Sequence, residues 1–472
     1  MRKLCTLLLA AALLSCLSSP ASAVDFKAKG QLVLSFDLGQ NGDFKEDSYG
    51  YNGKQDNFNV RQRTRLQLDA IASEALSARV SFEINNQWGK SGNANWGGGS
   101  LGTDGINVLV KNAYIDWIVP NTELRLRMGL QSIALPSIIG SQIQDDDAAG
   151  ITASYRFNDN VTLTGLWSRM YNDNFTDPVS TSHTTQNNAA LFDNVDLFAL
   201  TLPLAFDGVR ITPWLAYGMV GKNAAGTSSY MNRPYLSTVN RHGSKNNAYS
   251  SLYMGGITGE LSLWDTFRLA AEFFYTGLDT GYERDNVNGW FGTVLAEYKL
   301  DWATPGLYVW YASGEDGDSS NGSERFITFA ESARQQYSQF ALNGSNSNIA
   351  RDGVMGQSLA GTWGIGARLK DISFVEGLKH SLRVNYFGGT NDETAVLSSA
   401  QTNGFALTSL GNNLAMQESA LEVGLGTQYQ IYENLKLVSD ISYIALFTDK
   451  DIKRGYDKAD AWNVNVSFVY SF

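Results

Sequence analysis

Six of the chain's arginines are placed where spacing could give them a joint task. Arg61, Arg63 and Arg65 stand at every second position, Arg125 and Arg127 repeat the pattern, and Arg79 lies between the two rows. In an extended chain alternate side chains share a face. Each row therefore turns its guanidinium groups to one side, while the mostly apolar residues between them turn to the other. Three carboxylates, Asp145-Asp146-Asp147, follow the second row. Cations fixed on one wall of a water-filled space, with acids on a segment facing them, set up a transverse field that orients dipolar solutes and sorts them by charge. These nine residues are the candidate pore lining and constriction. A guanidinium aimed at lipid would cost about 2–4 kcal/mol at the bilayer midplane, so the rows are expected to face a lumen. Plainer readings stand beside this one. The arginines could pair with nearby carboxylates and stiffen the wall, and the Asp run could be an exposed turn or a weak calcium site.

Other chemistry finds little support. His183, His242 and His380 are too scattered for a metal cluster. Cys5 and Cys16 both fall in an expected leader, which leaves the mature chain without a thiol. Gly97, Gly99 and Gly102 fit a G-x-G-x-x-G pattern, but no helix or βαβ unit follows, so a flexible loop is expected. Gly314-Glu315-Asp316-Gly317-Asp318 hints at calcium, yet EF-hand spacing fails. No nucleophile elbow, paired metalloprotease histidines or local Ser–His arrangement is seen. The expectation is no catalytic residue, no metal site and no cofactor, with loop calcium unsupported. A formal net charge of −11 argues against nucleic acid as a partner.

The elements that must carry the arginines are strands. Residues 1–23 read as a signal peptide: Arg2 and Lys3, an apolar run from Leu4 to Leu17, then Ala21-Ser22-Ala23 with cleavage expected after Ala23. Leu13-Leu14-Ser15-Cys16 resembles a lipobox, so lipidation at Cys16 is the rival reading. Residues 24–472 form one domain of alternating segments, each of roughly ten residues. Leu32, Leu34 and Phe36 oppose Gln31, Ser35 and Asp37; Leu124, Leu126 and Met128 oppose Glu123, Arg125 and Arg127. Eight short turns alternate with nine long polar loops, the third of them at 132–148. Seventeen connections join 18 strands, with 16 as the alternative, and both termini fall on the short-turn side. The expected fold is an all-β, antiparallel up-and-down transmembrane barrel. Mean hydropathy is −0.21 and no later run of 18 apolar residues occurs, as strands that alternate should give.

Two features separate this from a soluble sandwich. In the last strand Trp462, Val464, Val466, Phe468, Tyr470 and Phe472 alternate with Asn463, Asn465, Ser467 and Ser471. The trio Phe468, Tyr470 and Phe472 resembles the signal read by the outer-membrane barrel assembly machinery. Trp88, Trp117, Trp167, Tyr275, Tyr311, Tyr386 and Tyr443 fall near expected strand ends, where amphipathic rings meet lipid headgroups.

The chain resembles the outer-membrane homotrimeric porins of sulfate-reducing bacteria. The resemblance rests on Asp25-Phe26-Lys27-Ala28-Lys29-Gly30-Gln31-Leu32, on Arg61-Gln62-Arg63-Thr64-Arg65-Leu66, on Lys111-Asn112-Ala113-Tyr114-Ile115-Asp116-Trp117 and on Phe472. It implies a trimer in the outer membrane, bounded by lipid and lipopolysaccharide, that passes small hydrophilic solutes and ions by passive diffusion. Two other readings are a substrate-specific 18-stranded channel and a non-conducting surface adhesin or structural barrel.

Overall fold

A computed structural model describes residues 24–44, 58–92, 96–102, 108–172, 194–221, 249–318, 320–328, 337–342, 347–350, 354–355, 358–397, 414–449, 451–452 and 459–472. The expected signal peptide, Cys16, His183 and His242 lie outside the described residues.

The strands are β1 (Asp25–Gln40), β2 (Phe58–Ser73), β3 (Leu76–Gln87), β4 (Leu109–Ile118), β5 (Leu124–Ala134), β6 (Asp145–Arg156), β7 (Thr162–Asn172), β8 (Asn194–Thr201), β9 (Leu204–Phe206) and β10 (Val209–Gly221). The circuit continues with β11 (Tyr249–Trp264), β12 (Phe267–Asp279), β13 (Val287–Tyr298), β14 (Thr304–Ala312), β15 (Thr362–Val375), β16 (Leu378–Gly389), β17 (Ser419–Tyr432), β18 (Leu435–Phe447) and β19 (Ala461–Ser471). Every ladder is antiparallel, and β1 pairs with both β2 and β19. The sheet therefore closes and leaves no edge unpaired, as a wall in lipid requires.

Nineteen segments build an 18-strand wall because β8 and β9 lie end to end along β10. The sequence suggests a single strand over 195–205. Pro203 interrupts it, since proline has no N–H to give to a ladder. The break is bridged: Leu202 N–H donates to Pro213 O (3.0 Å) and Thr162 N–H donates to Pro203 O (3.2 Å). Short turns and long loops alternate as expected, and both ends of the circuit sit on the short-turn side.

Alternation sorts the two faces. Outward positions such as Leu215, Ile257, Leu307, Ile365 and Ile441 are exposed apolar residues. Aromatics band this wall at two levels. At the long-loop end Tyr253 stacks on Tyr275 (6.4 Å), Trp290 on Tyr311 (4.7 Å), and Trp363 meets Tyr386 edge-on (5.9 Å). At the short-turn end Trp302 stacks on Phe374 (5.6 Å) and Tyr470 tilts against Phe472 (5.7 Å). An apolar belt between two aromatic rims is the surface of a membrane-spanning barrel.

The core lies inside the barrel. The third long connection, 135–144 (the third loop), and, among the described residues of the seventh, 313–361 (the seventh loop), those at 326–327, 337–342, 354–355 and 359–360 fold into the lumen. Ile139 and Ile143 from one, and Tyr337 and Phe340 from the other, are buried against Trp214, Phe274, Phe291, Tyr308 and Trp310 of β10 and β12–β14. Each such side chain contributes roughly 1.5–3 kcal/mol on burial, which favours insertion over extension into water.

Candidate pore lining and constriction

The expected arginines form a descending staircase on β2–β5. Arg61, Arg63 and Arg65 step down β2; register then places Arg79 of β3 opposite Asp69, and Arg127 and Arg125 complete the descent on β5. Three of the six steps are tied to a carboxylate of the neighbouring strand. Arg65 Nε donates to Glu83 (2.6 Å), Arg79 Nε to Asp69 (2.7 Å), and Arg127 forms two hydrogen bonds to Asp116 (both 2.8 Å). Tyr114 lies between two steps, its ring 5.7 Å from the Arg79 guanidinium and 4.3 Å from that of Arg127. Arg125 makes no ion pair among the described residues.

Exposure separates the two sides of the lumen. The side chains of Arg65, Arg79 and Arg127 keep 38%, 35% and 37% of their surface, whereas Arg368 on β15 keeps 4% and its partner Glu297 on β13 keeps 3%. The β2–β5 face stays wet while the loops cover the opposite wall at mid-height. Arg61, at the top of the staircase, is already engaged. It donates to Ile349 O of the seventh loop (3.2 Å) and lies over the Trp96 ring (4.8 Å).

Asp145, Asp146 and Asp147 do not sit in a loop. They open β6, where Asp145 pairs with Ala134, Asp146 with Ile133 and Asp147 with Ser132. The strand ladder extends further up than the polar composition of 132–148 suggests. Alternation gives only Asp146 the lumen side, level with Ile133; Asp147 binds Lys111 and accepts from Asn112 Nδ2 (3.0 Å). The part of the third loop that enters the lumen carries no acid. Its anchor is a wall carboxylate instead: Glu272 on β12 accepts from Ser137 Oγ (3.1 Å), Ile138 N–H and Ile139 N–H (2.7 Å).

Two further acids were missed in the sequence. Glu422 on β17 accepts from Ser338 Oγ (3.0 Å) and from the N–H groups of Gln339 (2.9 Å), Phe340 (2.6 Å) and Ala341 (3.3 Å) of the seventh loop. Glu297 gathers Arg268 (2.9 Å), Arg368 (2.9 Å) and Lys370 (2.7 Å). The available signal was a lone acid on the lumen face of a strand whose neighbours on that face are uncharged, as in Ala270, Glu272, Phe274. In the outer part of the seventh loop, hydrogen bonds from Ser320 hold the Asp318 carboxyl below its usual range. Burial, with Asp316 and Glu315 close by, pushes Glu324 up. Phe468, Tyr470 and Phe472 lie on β19 or just past it, and Gly30 and Phe472 exchange two backbone hydrogen bonds (2.7 and 3.0 Å). Among the described residues no group of three or more His, Cys, Asp or Glu is placed to hold a metal ion.

This fold is shared with the Occ and Opd barrels. OpdO of Pseudomonas aeruginosa superposes with a TM-score of 0.55 at 11% identity, over 95% of this chain and 97% of that one. OccAB4 of Acinetobacter baumannii gives 0.54 at 10% identity, over 96% and 100%. OpdK of Pseudomonas aeruginosa, solved with vanillate, gives 0.51 at 10% identity, over 94% and 98%. At such identities the likeness is one of architecture: an Occ-like barrel of 18 strands. No family model and no curated protein sequence matches the chain.

Proposed function

We propose that the chain is an outer-membrane channel passing small hydrophilic solutes and ions by diffusion, with a preference for anions. One observation carries the sign. Along the lumen face of β2–β5 the charges are six arginines (Arg61, Arg63, Arg65, Arg79, Arg125 and Arg127) against three carboxylates (Asp69, Glu83 and Asp116). Local excess of cations at close range outweighs the net charge of −11 spread over the whole chain, because screening confines each charge to about 10 Å at 0.1 M salt. The test is current through planar bilayers under a salt gradient. A reversal potential on the anion side supports the reading; a cation-side potential overturns the preference. A folded protein without conductance favours the surface-adhesin reading.

A substrate-specific channel is favoured over a general one by the two inserted loops, which leave solutes a wall of fixed chemistry rather than a wide bore. The structure of OpdK with vanillate suggests aromatic carboxylates as the first solutes to try. Block of ion current by such a solute at concentrations far below the supporting salt would support it. The homotrimer follows from the family resemblance, and a native mass in detergent tests it: a particle of one barrel overturns it. Export with cleavage after Ala23 is checked by the mass of the mature protein.

A further inference from the structure

We propose that Glu272 and Glu422 are positioning residues that latch the third and seventh loops inside the barrel and thereby set the width of the pore. The inference rests on the channel reading above. Its basis is that two loops far apart in sequence are held by the same device. In each, a serine hydroxyl and the following backbone N–H groups converge on a single carboxylate oxygen of the wall. In each, the serine oxygen also receives an N–H from further along its own turn: Gly140 onto Ser137 (3.0 Å) and Leu342 onto Ser338 (2.9 Å). The turn is thus shaped by its serine and fastened by the acid.

Chemistry explains why an acid is used. Residues 137–139 and 338–341 present only donors to the wall, and a carboxylate is the side chain that only accepts. Both acids are buried, Glu272 at 4% and Glu422 at 1% exposure. Leaving such a charge without donors is expensive, so each acid favours the inserted state of its loop over any state that withdraws the N–H groups.

The two sites differ in one respect that sharpens the test. The second oxygen of Glu422 accepts from Asn385 Nδ2 (2.9 Å). Asn385 cannot turn over to oblige, since its Nδ2 also donates to Tyr337 O (2.7 Å) and its Oδ1 accepts from Tyr308. Glu422→Gln must therefore set its NH2 against donors in either orientation. The second oxygen of Glu272 has no partner among the described residues, so Glu272→Gln can keep its oxygen toward the loop.

The experiment combines single-channel conductance with digestion of the folded, heat-modifiable protein by a broad-specificity protease. Glu272→Ala and Glu422→Ala should each raise conductance and open a new cleavage, in the third and seventh loop respectively. Glu422→Gln should behave as its alanine variant and Glu272→Gln as wild type. Folded alanine variants with wild-type conductance and protection overturn the latch, and Glu422→Gln indistinguishable from wild type overturns the role of the charge. If an alanine variant yields no folded barrel, Ser137→Ala and Ser338→Ala decide on the same readouts, with weaker effects in the same direction. A wild-type protein that does not conduct overturns the channel reading, and the cleavage pattern still decides the latch.

Discussion

Arg125 and Arg127 are two positions apart on one strand, yet they should answer differently to substitution. Arg127 is bonded twice to Asp116 and packs on Tyr114, so its replacement by alanine removes one positive charge and frees one negative charge. Arg125 is the last, exposed step of the staircase. Arg125→Glu should move the reversal potential toward cations without changing the temperature at which the folded band is lost on gels. Arg127→Ala should move both. Raising the salt to 1 M, where screening reaches only about 3 Å, should shrink the difference between wild type and Arg125→Glu. Glu297 belongs to the other wall and to stability. Removing the carboxylate that gathers Arg268, Arg368 and Lys370 takes an ion-pair partner from the buried Arg368 guanidinium, a loss of about 3–5 kcal/mol, while the more exposed Arg268 keeps Glu260. Glu297→Ala should lower the unfolding temperature of the detergent-solubilised barrel well below that of Arg125→Glu.

At the scale of elements, the strands were legible, and so was the third loop as a candidate constriction; what anchors that loop, and the part played by the seventh, were not. Period two is a property of the backbone itself, so Arg61, Arg63 and Arg65 declare their common face before any neighbour is known. The anchor of the third loop has no comparable signal. The loop's place in the lumen depends on Glu272, more than a hundred residues away, and the polar look of 132–148 concealed that Ile133 and Asp146 are ladder partners. The Asp run was read from composition, and strand register decided its use. A glycine shows how tightly element and site are joined. Gly129 on β5 has φ of +130°, and a Cβ there would lie 2.2 Å from Ala113 O and 3.1 Å from the Tyr114 side chain. Tyr114 is the ring between Arg79 and Arg127. Gly129→Val should cost on the order of 1–3 kcal/mol in backbone strain, reduce the yield of heat-modifiable protein, and shift ion selectivity in the fraction that folds.

The whole molecule depends on its seam. β1 meets β19 over a long register, and the ring of Phe472 lies where a Cβ on Gly30 would stand, 2.4 Å away. Gly30→Val should therefore displace the terminal aromatic and lower the folded yield, and Phe472→Ala should do so through the other partner; pulse-labelling followed by heat-shift gels measures both. Alternation up to Phe472 was enough to foresee the circuit and its direction, whereas the interruption at Pro203 appeared only with the ladder to β10. The packed interior has a consequence for sieving. Eighteen strands enclose a bore whose size would be fixed by geometry if it were empty. Here much of that bore is solid, filled by side chains of two loops. Strand number and permeability are uncoupled: sequence changes in the loops can retune what passes while the wall, its lipid contacts and its assembly route stay as they are. Neutral polymers of graded size should accordingly be excluded at a radius set by the inserted loops, far below that of an unfilled cylinder with the same circumference.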